Sequence, residues 1–208
     1  MIRVAREAGL WTVTLDRPDK ANALNAAMLE DLARIATEAE GAARALVLTG
    51  TGRVFSAGAD LDEARVGLTT SPLWEEVSGR LARLPCLTVA ALNGTLAGGA
   101  FGMALACDLR IAVPGAKFFY PVMKLGFLPQ PSDPARLTAL VGPARAKAIL
   151  MAGQRVKAAE ALAWGLVDRL VPADALLQEA VTLATDALGA EAAHVAALKG
   201  FFTDPARS

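Results

Sequence analysis

This chain of 208 residues has one histidine, one tyrosine and two cysteines. The lone histidine, His194, lies far along the sequence from any cluster of carboxylates, so no metal site is expected. Cys86 and Cys107 sit in apolar sequence, without the spacing of a metal site or a disulfide framework, and read as buried thiols of a reducing compartment. Net charge is missing as well. Lysine plus arginine number 21 against 21 aspartates and glutamates, which removes any general attraction to nucleic acid or an anionic membrane. The opening "MIRVAREAGL" carries charges where a signal peptide needs an apolar run, so a cytoplasmic location is expected. What the chain does have is apolar substance. At 54% hydrophobic and 20% charged residues it can bury a large core, most simply as one domain.

Charge is also absent locally, over Leu84 to Cys107, a stretch long enough to span a bilayer. Against a membrane span stand the Asn93-Gly94 turn signal in its middle and the strand-like "CLTVAAL" of its first half. A buried strand, a turn and a buried helix are expected instead. Elsewhere strands and helices alternate. Strands are predicted at Leu10 to Asp16, Arg44 to Gly50, Cys86 to Leu92 and Leu109 to Val113, and "RVFSAGADL" as a loop. Helices are predicted over Asn25 to Glu40 with Asn25 as N-cap, after Pro72, and near Ala100 to Ala106. The remainder, from Pro134 on, is mostly helical, over Ala135 to Val141, Pro143 to Met151, Ala158 to Trp164 and Asp174 to Leu188. This pattern belongs to an α/β layer fold.

Glycine concentrates where the chain is most apolar. "NGTLAGGAFGMALACD" (Asn93 to Asp108) holds four glycines, a residue that costs both helix and strand stability. "LAGGAFG" (Leu96 to Gly102) and "FSAGADL" (Phe55 to Leu61) each form a small-residue turn after a predicted strand, running toward a helix. In open α/β sheets ligands bind at such turns, and two bare backbone N–H groups converging there make an oxyanion hole. For glycine pairs taken alone, close helix–strand packing is the commoner explanation.

Four segments together resemble the crotonase, or enoyl-CoA hydratase/isomerase, superfamily. They are "LDRPDKANALN" (Leu15 to Asn25), "ALVLTGTGRVFSAGADL" (Ala45 to Leu61), "VAALNGTLAGGAFGMALACDLRIA" (Val89 to Ala112) and "AAEALAWGLVDRLVP" (Ala158 to Pro172). The resemblance implies a spiral of ββα units over residues 1–134 and a shortened helical C-terminal part over 135–208 in the same domain. It also implies a homotrimer or dimer of trimers, and a place in fatty acid metabolism. It implies an acyl-CoA substrate, with coenzyme A entering as part of that substrate and no separate cofactor. The thioester oxygen would be held by the backbone N–H groups of Ala59 and Gly99. Ala57, Asp60, Leu61 and Gly98 would line the CoA path. Lys20 and Arg17 are either phosphate contacts or ordinary solvated charges.

The departures from the family bear on the reaction. Hydratases of this family carry a glutamate three residues after the oxyanion glycine, where this chain has Gly102. They carry a second in a "PE" pair, where this chain has Val122. Hydration needs a base for water and an acid for the α-carbon, and neither residue supplies one, so isomerase or hydrolase chemistry is expected over hydratase. Asp133 is the only acid of "GFLPQPSDPARL". It is either a proton shuttle beside the oxyanion hole or a helix N-cap ahead of Pro134. Tyr120 is a hydrogen-bond donor to the site or a core aromatic. Glu75 and Glu76 flank the acyl pocket by resemblance, or form a solvated helix face. A non-catalytic acyl-CoA binder and a structural subunit of a larger CoA enzyme are the competing readings.

Overall fold

The computed structural model describes residues 1–203, so the end of the expected helical part, 204–208, lies outside the described residues. The chain opens with the antiparallel hairpin β1 (Ile2–Glu7) and β2 (Leu10–Leu15). In β2 every second side chain, Trp11, Val13 and Leu15, is buried, as the alternation of "LWTVTL" predicts. Helix α1 (Ala26–Ala39) follows, its first turn held by Asn25, whose Oδ1 accepts from the Met28 N–H at 2.9 Å. Then come β3 (Ala45–Gly50) and β4 (Val54–Ser56), the single-turn α2 (Leu61–Ala64) and the longer α3 (Leu73–Arg83). The next turn of chain supplies β5 (Leu87–Leu92), β6 (Thr95–Ala97) and α4 (Phe101–Ala106), and the one after it β7 (Leu109–Ala112), β8 (Lys117–Phe119) and the short α5 (Val122–Leu125).

Each turn thus places one strand in a large sheet and the next in a small one. The large sheet has the order β1-β2-β3-β5-β7 and the small one β4-β6-β8, with neighbours beyond the hairpin parallel. Strands buried on both faces read as near-continuous apolar runs: β3 opens on "ALVL" and β5 ends on "VAAL". This is the expected spiral of ββα units. The charge-free stretch is strand, turn and buried helix, with β6 added. No helix among the described residues is long and apolar enough to cross a membrane.

The later part packs α6 (Asp133–Val141) against α4, then α7 (Pro143–Leu150), β9 (Val156–Lys157), α8 (Ala158–Trp164) and β10 (Arg169–Leu170). Strand β9 adds antiparallel to β8, and β10 adds parallel to β7, so the two sheets gain one edge strand each. The segment predicted as one helix over Asp174 to Leu188 is two, α9 (Leu176–Leu183) and α10 (Thr185–Gly189), which meet at a turn at Ala184 (φ −89°, ψ −3°). Helix α11 (Ala192–Thr203) ends the described chain, with Lys199 donating to the Cys86 carbonyl and the Asp108 carboxylate, both at 2.8 Å. The stretch predicted as a loop contains β4, a strand of three residues that is too short for a period to register. Both cysteines are buried, and burial pushes their thiols up to about 11 for Cys86 and about 12 for Cys107.

Candidate active site

The two glycine-bearing turns follow β4 and β6, the strands of the small sheet. These strands pair in parallel, Val54 opposite Thr95 and Ser56 opposite Leu96, so the turns that leave them meet. Gly58 has φ +93°, and a Cβ there would fall 2.9 Å from the Ala97 carbonyl oxygen and 3.3 Å from Gly98 Cα. The close packing at these glycines is of one turn on the other, Gly58 against Ala97 and Gly98, rather than of a helix on a strand. It brings the next residue of each turn, Ala59 and Gly99, to one cavity.

Both N–H groups have a geometric reason to be free. Leu24 bridges alongside Ala59, donating to the Gly58 carbonyl at 2.8 Å and accepting from Asp60 N–H at 2.8 Å. In such a bridge the middle residue's own N–H points the other way. Gly99 is the second residue of a 3-10 turn over Gly98–Ala100, whose leading N–H groups have no partner within the turn. The missing side chain at Gly99 also leaves room for Trp74, whose ring lies 3.2 Å from where a Cβ would stand. Trp74 is fixed by its indole N–H, which donates to the Leu68 carbonyl at 2.8 Å.

The cavity has a volume of about 270 Å³ and mostly apolar walls. Of the residues expected there, Ala57, Ala59, Leu61, Gly98 and Gly99 line it. Asp60 and Lys20 do not. Asp60 is buried and accepts from Arg17 Nη1 at 2.7 Å and from the Asp62 N–H at 3.0 Å, which caps α2. The guanidinium holds its carboxyl below the usual range. Arg17 also donates to the Ala23 carbonyl, so the pair braces the 57–61 turn from behind. Lys20 is exposed on a neighbouring 3-10 turn, Pro18–Lys20. Glu76 pairs with Arg80 on an exposed face, whereas Glu75 accepts from the Ser132 N–H at 3.0 Å and its hydroxyl at 2.9 Å, tying α3 to α6. His194 is exposed on α11.

Asp133 is the first residue of α6, not its cap, and its carboxylate turns into the protein. It is 1% exposed. Oδ2 accepts from the Tyr120 hydroxyl at 3.0 Å, and Oδ1 has no partner among the described residues. Oδ1 lies 3.0 Å from where a Cβ at Gly102 would be. Burial raises the Asp133 pKa from its ordinary 3.8 to about 7, with Glu75 adding to the rise and Tyr120 and Arg136 opposing it. Tyr120 itself lines the cavity, stacked on Phe101 at 5.4 Å between ring centres, and accepts from the Gln130 N–H at 3.4 Å. Burial, with Asp133 beside it, drives its phenol far above the ordinary range.

Not anticipated were Trp74 as the wall opposite Gly99, Arg65 in the lining, and the exposed apolar rim of Leu125, Phe127 and Leu128. The rim was signalled only by apolar residues left among the breakers of "LGFLPQP". The assembled parts can receive an anion at two backbone donors and move a proton through one buried carboxylate and one hydroxyl.

A family model described as enoyl-CoA hydratase/isomerase matches residues 5–208. The chain is 38% identical to a probable enoyl-CoA hydratase (echA8) of Mycobacterium tuberculosis, over 94% of this chain and 79% of that protein. Its identity to YngF of Bacillus subtilis, described as a "putative enoyl-CoA hydratase/isomerase", is 41% over 83% of this chain and 69% of the other. Among solved structures, an enoyl-CoA hydratase from Bacillus anthracis superimposes with a TM-score of 0.91 at 31% identity, covering 100% of this chain and 84% of that one.

Proposed function

The chain belongs to the enoyl-CoA hydratase/isomerase family, and from that premise we propose that it isomerises the double bond of an enoyl-CoA thioester by a single acid/base group. The thioester carbonyl oxygen sits between the N–H groups of Ala59 and Gly99. Loss of a proton from the α-carbon of a β,γ-unsaturated acyl group then leaves negative charge on that oxygen, where fixed donors are worth most. The same proton returns at the γ-carbon, and the double bond moves into conjugation. Coenzyme A enters as part of the substrate, along Ala57, Leu61 and Gly98, and the scheme needs no further cofactor.

The observation that supports this reading over hydration is the identity of the proton-handling group. Asp133 is a single buried carboxylate, and its pKa of about 7 suits one group that must both take and give a proton near neutrality. Residues 102 and 122, glycine and valine, supply no second acid for the addition of water. The same two residues favour a non-catalytic acyl-CoA binder as the second reading. A pair of assays separates them: conversion of a 3-enoyl-CoA to the conjugated 2-enoyl-CoA, and hydration of crotonyl-CoA. Isomerisation with hydration near background is expected. Rapid hydration overturns the assignment, release of free CoA points to hydrolysis, and binding without any turnover supports the second reading. A homotrimer remains our expectation for the assembly, tested by light scattering.

A further inference from the structure

Asp133 and Tyr120 differ in what they touch. The carboxylate is 1% exposed and does not border the cavity, whereas Tyr120 is part of the cavity wall and its hydroxyl donates to Asp133 Oδ2 at 3.0 Å. A substrate carbon resting in the cavity therefore meets the tyrosine first. The hydroxyl is held from a second side by the Gln130 N–H, and the ring is fixed by stacking on Phe101. Such a group has one orientation and one proton path.

We propose that the Tyr120 hydroxyl is the catalytic residue that exchanges protons with the substrate, and that Asp133 is a positioning residue that takes up and returns each proton through it. The inference rests on the enolate chemistry proposed above. In the forward step the α-carbon C–H bond breaks and its proton goes to the Tyr120 oxygen, while the tyrosine's own proton passes to Asp133 Oδ2. The electron pair moves to the thioester oxygen. In the return step Tyr120 gives a proton to the γ-carbon and recovers one from Asp133, so both residues end as they began. The burial that disfavours a free phenolate fits a hydroxyl whose proton leaves only as another arrives. Around Asp133 the titratable and charged groups are Tyr120 at the end of β8, Glu75 on α3 and Arg136 on α6 itself. The residues of α4 contribute none.

The test reads enolate formation without needing the natural acyl group: exchange of the α-protons of butyryl-CoA with D₂O, followed by proton NMR. Wild type is expected to exchange them, faster as pH rises through about 7 because Asp133 must be ionised to accept a proton. Tyr120→Phe is expected to bind butyryl-CoA as before and to exchange at least about a hundredfold more slowly. A second arm leaves the hydroxyl in place. Asp133→Asn puts an uncharged amide behind it, and exchange is expected to fall as far, with the step near pH 7 abolished. Exchange by wild type that persists in folded Tyr120→Phe, or a pH step that survives in Asp133→Asn, overturns the relay and leaves the enolate reading standing. No exchange by wild type overturns both.

Discussion

Asp133 Oδ1 lies 3.0 Å from the point where a side chain at Gly102 would begin. The carboxylate from α6 thus reaches toward the space that, in hydratases of this family, the glutamate of α4 would enter. The two arrangements crowd one another, since a Cβ at 102 would meet the Asp133 carboxylate more closely than ordinary van der Waals contact allows and force it to shift.

Adding the hydratase acids alone is therefore expected to fail. Gly102→Glu with Val122→Glu should unfold more easily than wild type and hydrate crotonyl-CoA no faster. Combining both with Asp133→Ala removes the collision, and hydration should then rise, a well-placed acid or base being worth about 10²–10⁴-fold. Crotonyl-CoA absorbance and thermal unfolding of the three proteins check this. Equal stability of the double variant and wild type would show that the space is wider than Asp133 leaves it.

Stability should carry the mark of the same carboxylate. Its folded pKa of about 7 is above the ordinary 3.8, so the folded protein holds the proton more tightly than the unfolded chain. Stability from this group is fully present below about pH 4 and lost progressively as pH rises through about 7. At about 1.4 kcal/mol per unit the loss is ~4 kcal/mol at most. Asp133→Asn should remove that dependence and be the more stable protein at alkaline pH. Urea unfolding of both proteins at pH 5 and pH 8.5 measures the difference, and parallel curves count against the buried charge.

Removing one oxyanion donor should be costly. Gly99→Pro eliminates the N–H of a residue that lines the cavity, and a single lost donor costs about 10²–10³ in rate. The readout is kcat for isomerisation in a variant with native circular dichroism. Undiminished turnover moves the oxyanion to another pair of donors.

Arg17 and Lys20 should separate cleanly. Asp60→Ala takes the partner from Arg17 and loosens the turn that carries Ala59. A loss of about 2 kcal/mol of stability is expected, with falls in both kcat and affinity. Lys20→Ala should leave stability and kcat alone and raise KM by roughly twofold to fivefold, an effect erased by salt, as for an exposed charge facing phosphate. A salt-insensitive KM removes Lys20 from the CoA path.

Much of the candidate site's geometry was legible in the sequence because it is built from small-residue turns of the backbone. The turns "SAGADL" and "AGGA" advertise missing side chains, and glycine at 58 is required by both its positive φ and the approach of Ala97. The placement of Asp133 was only half legible. An acid before a proline is the usual mark of a helix cap, and nothing local says that this one turns inward to Tyr120. That pairing depends on where the loop from Pro121 to Ser132 brings α6, a tertiary property. The short strands β4, β6 and β8 escaped notice because three residues carry no measurable period, yet they set the pairing that joins the two turns.

The spiral also spreads the candidate site along the chain. Strand β6 pairs with β4, so the turns of Ala59 and Gly99 belong to neighbouring coils, while Tyr120 follows β8 in the next coil and Asp133 opens α6 beyond it. Each part is thus carried by a different coil. A change in how two coils stack alters the spacing between the proposed donors and the proposed proton relay without touching any of the residues themselves.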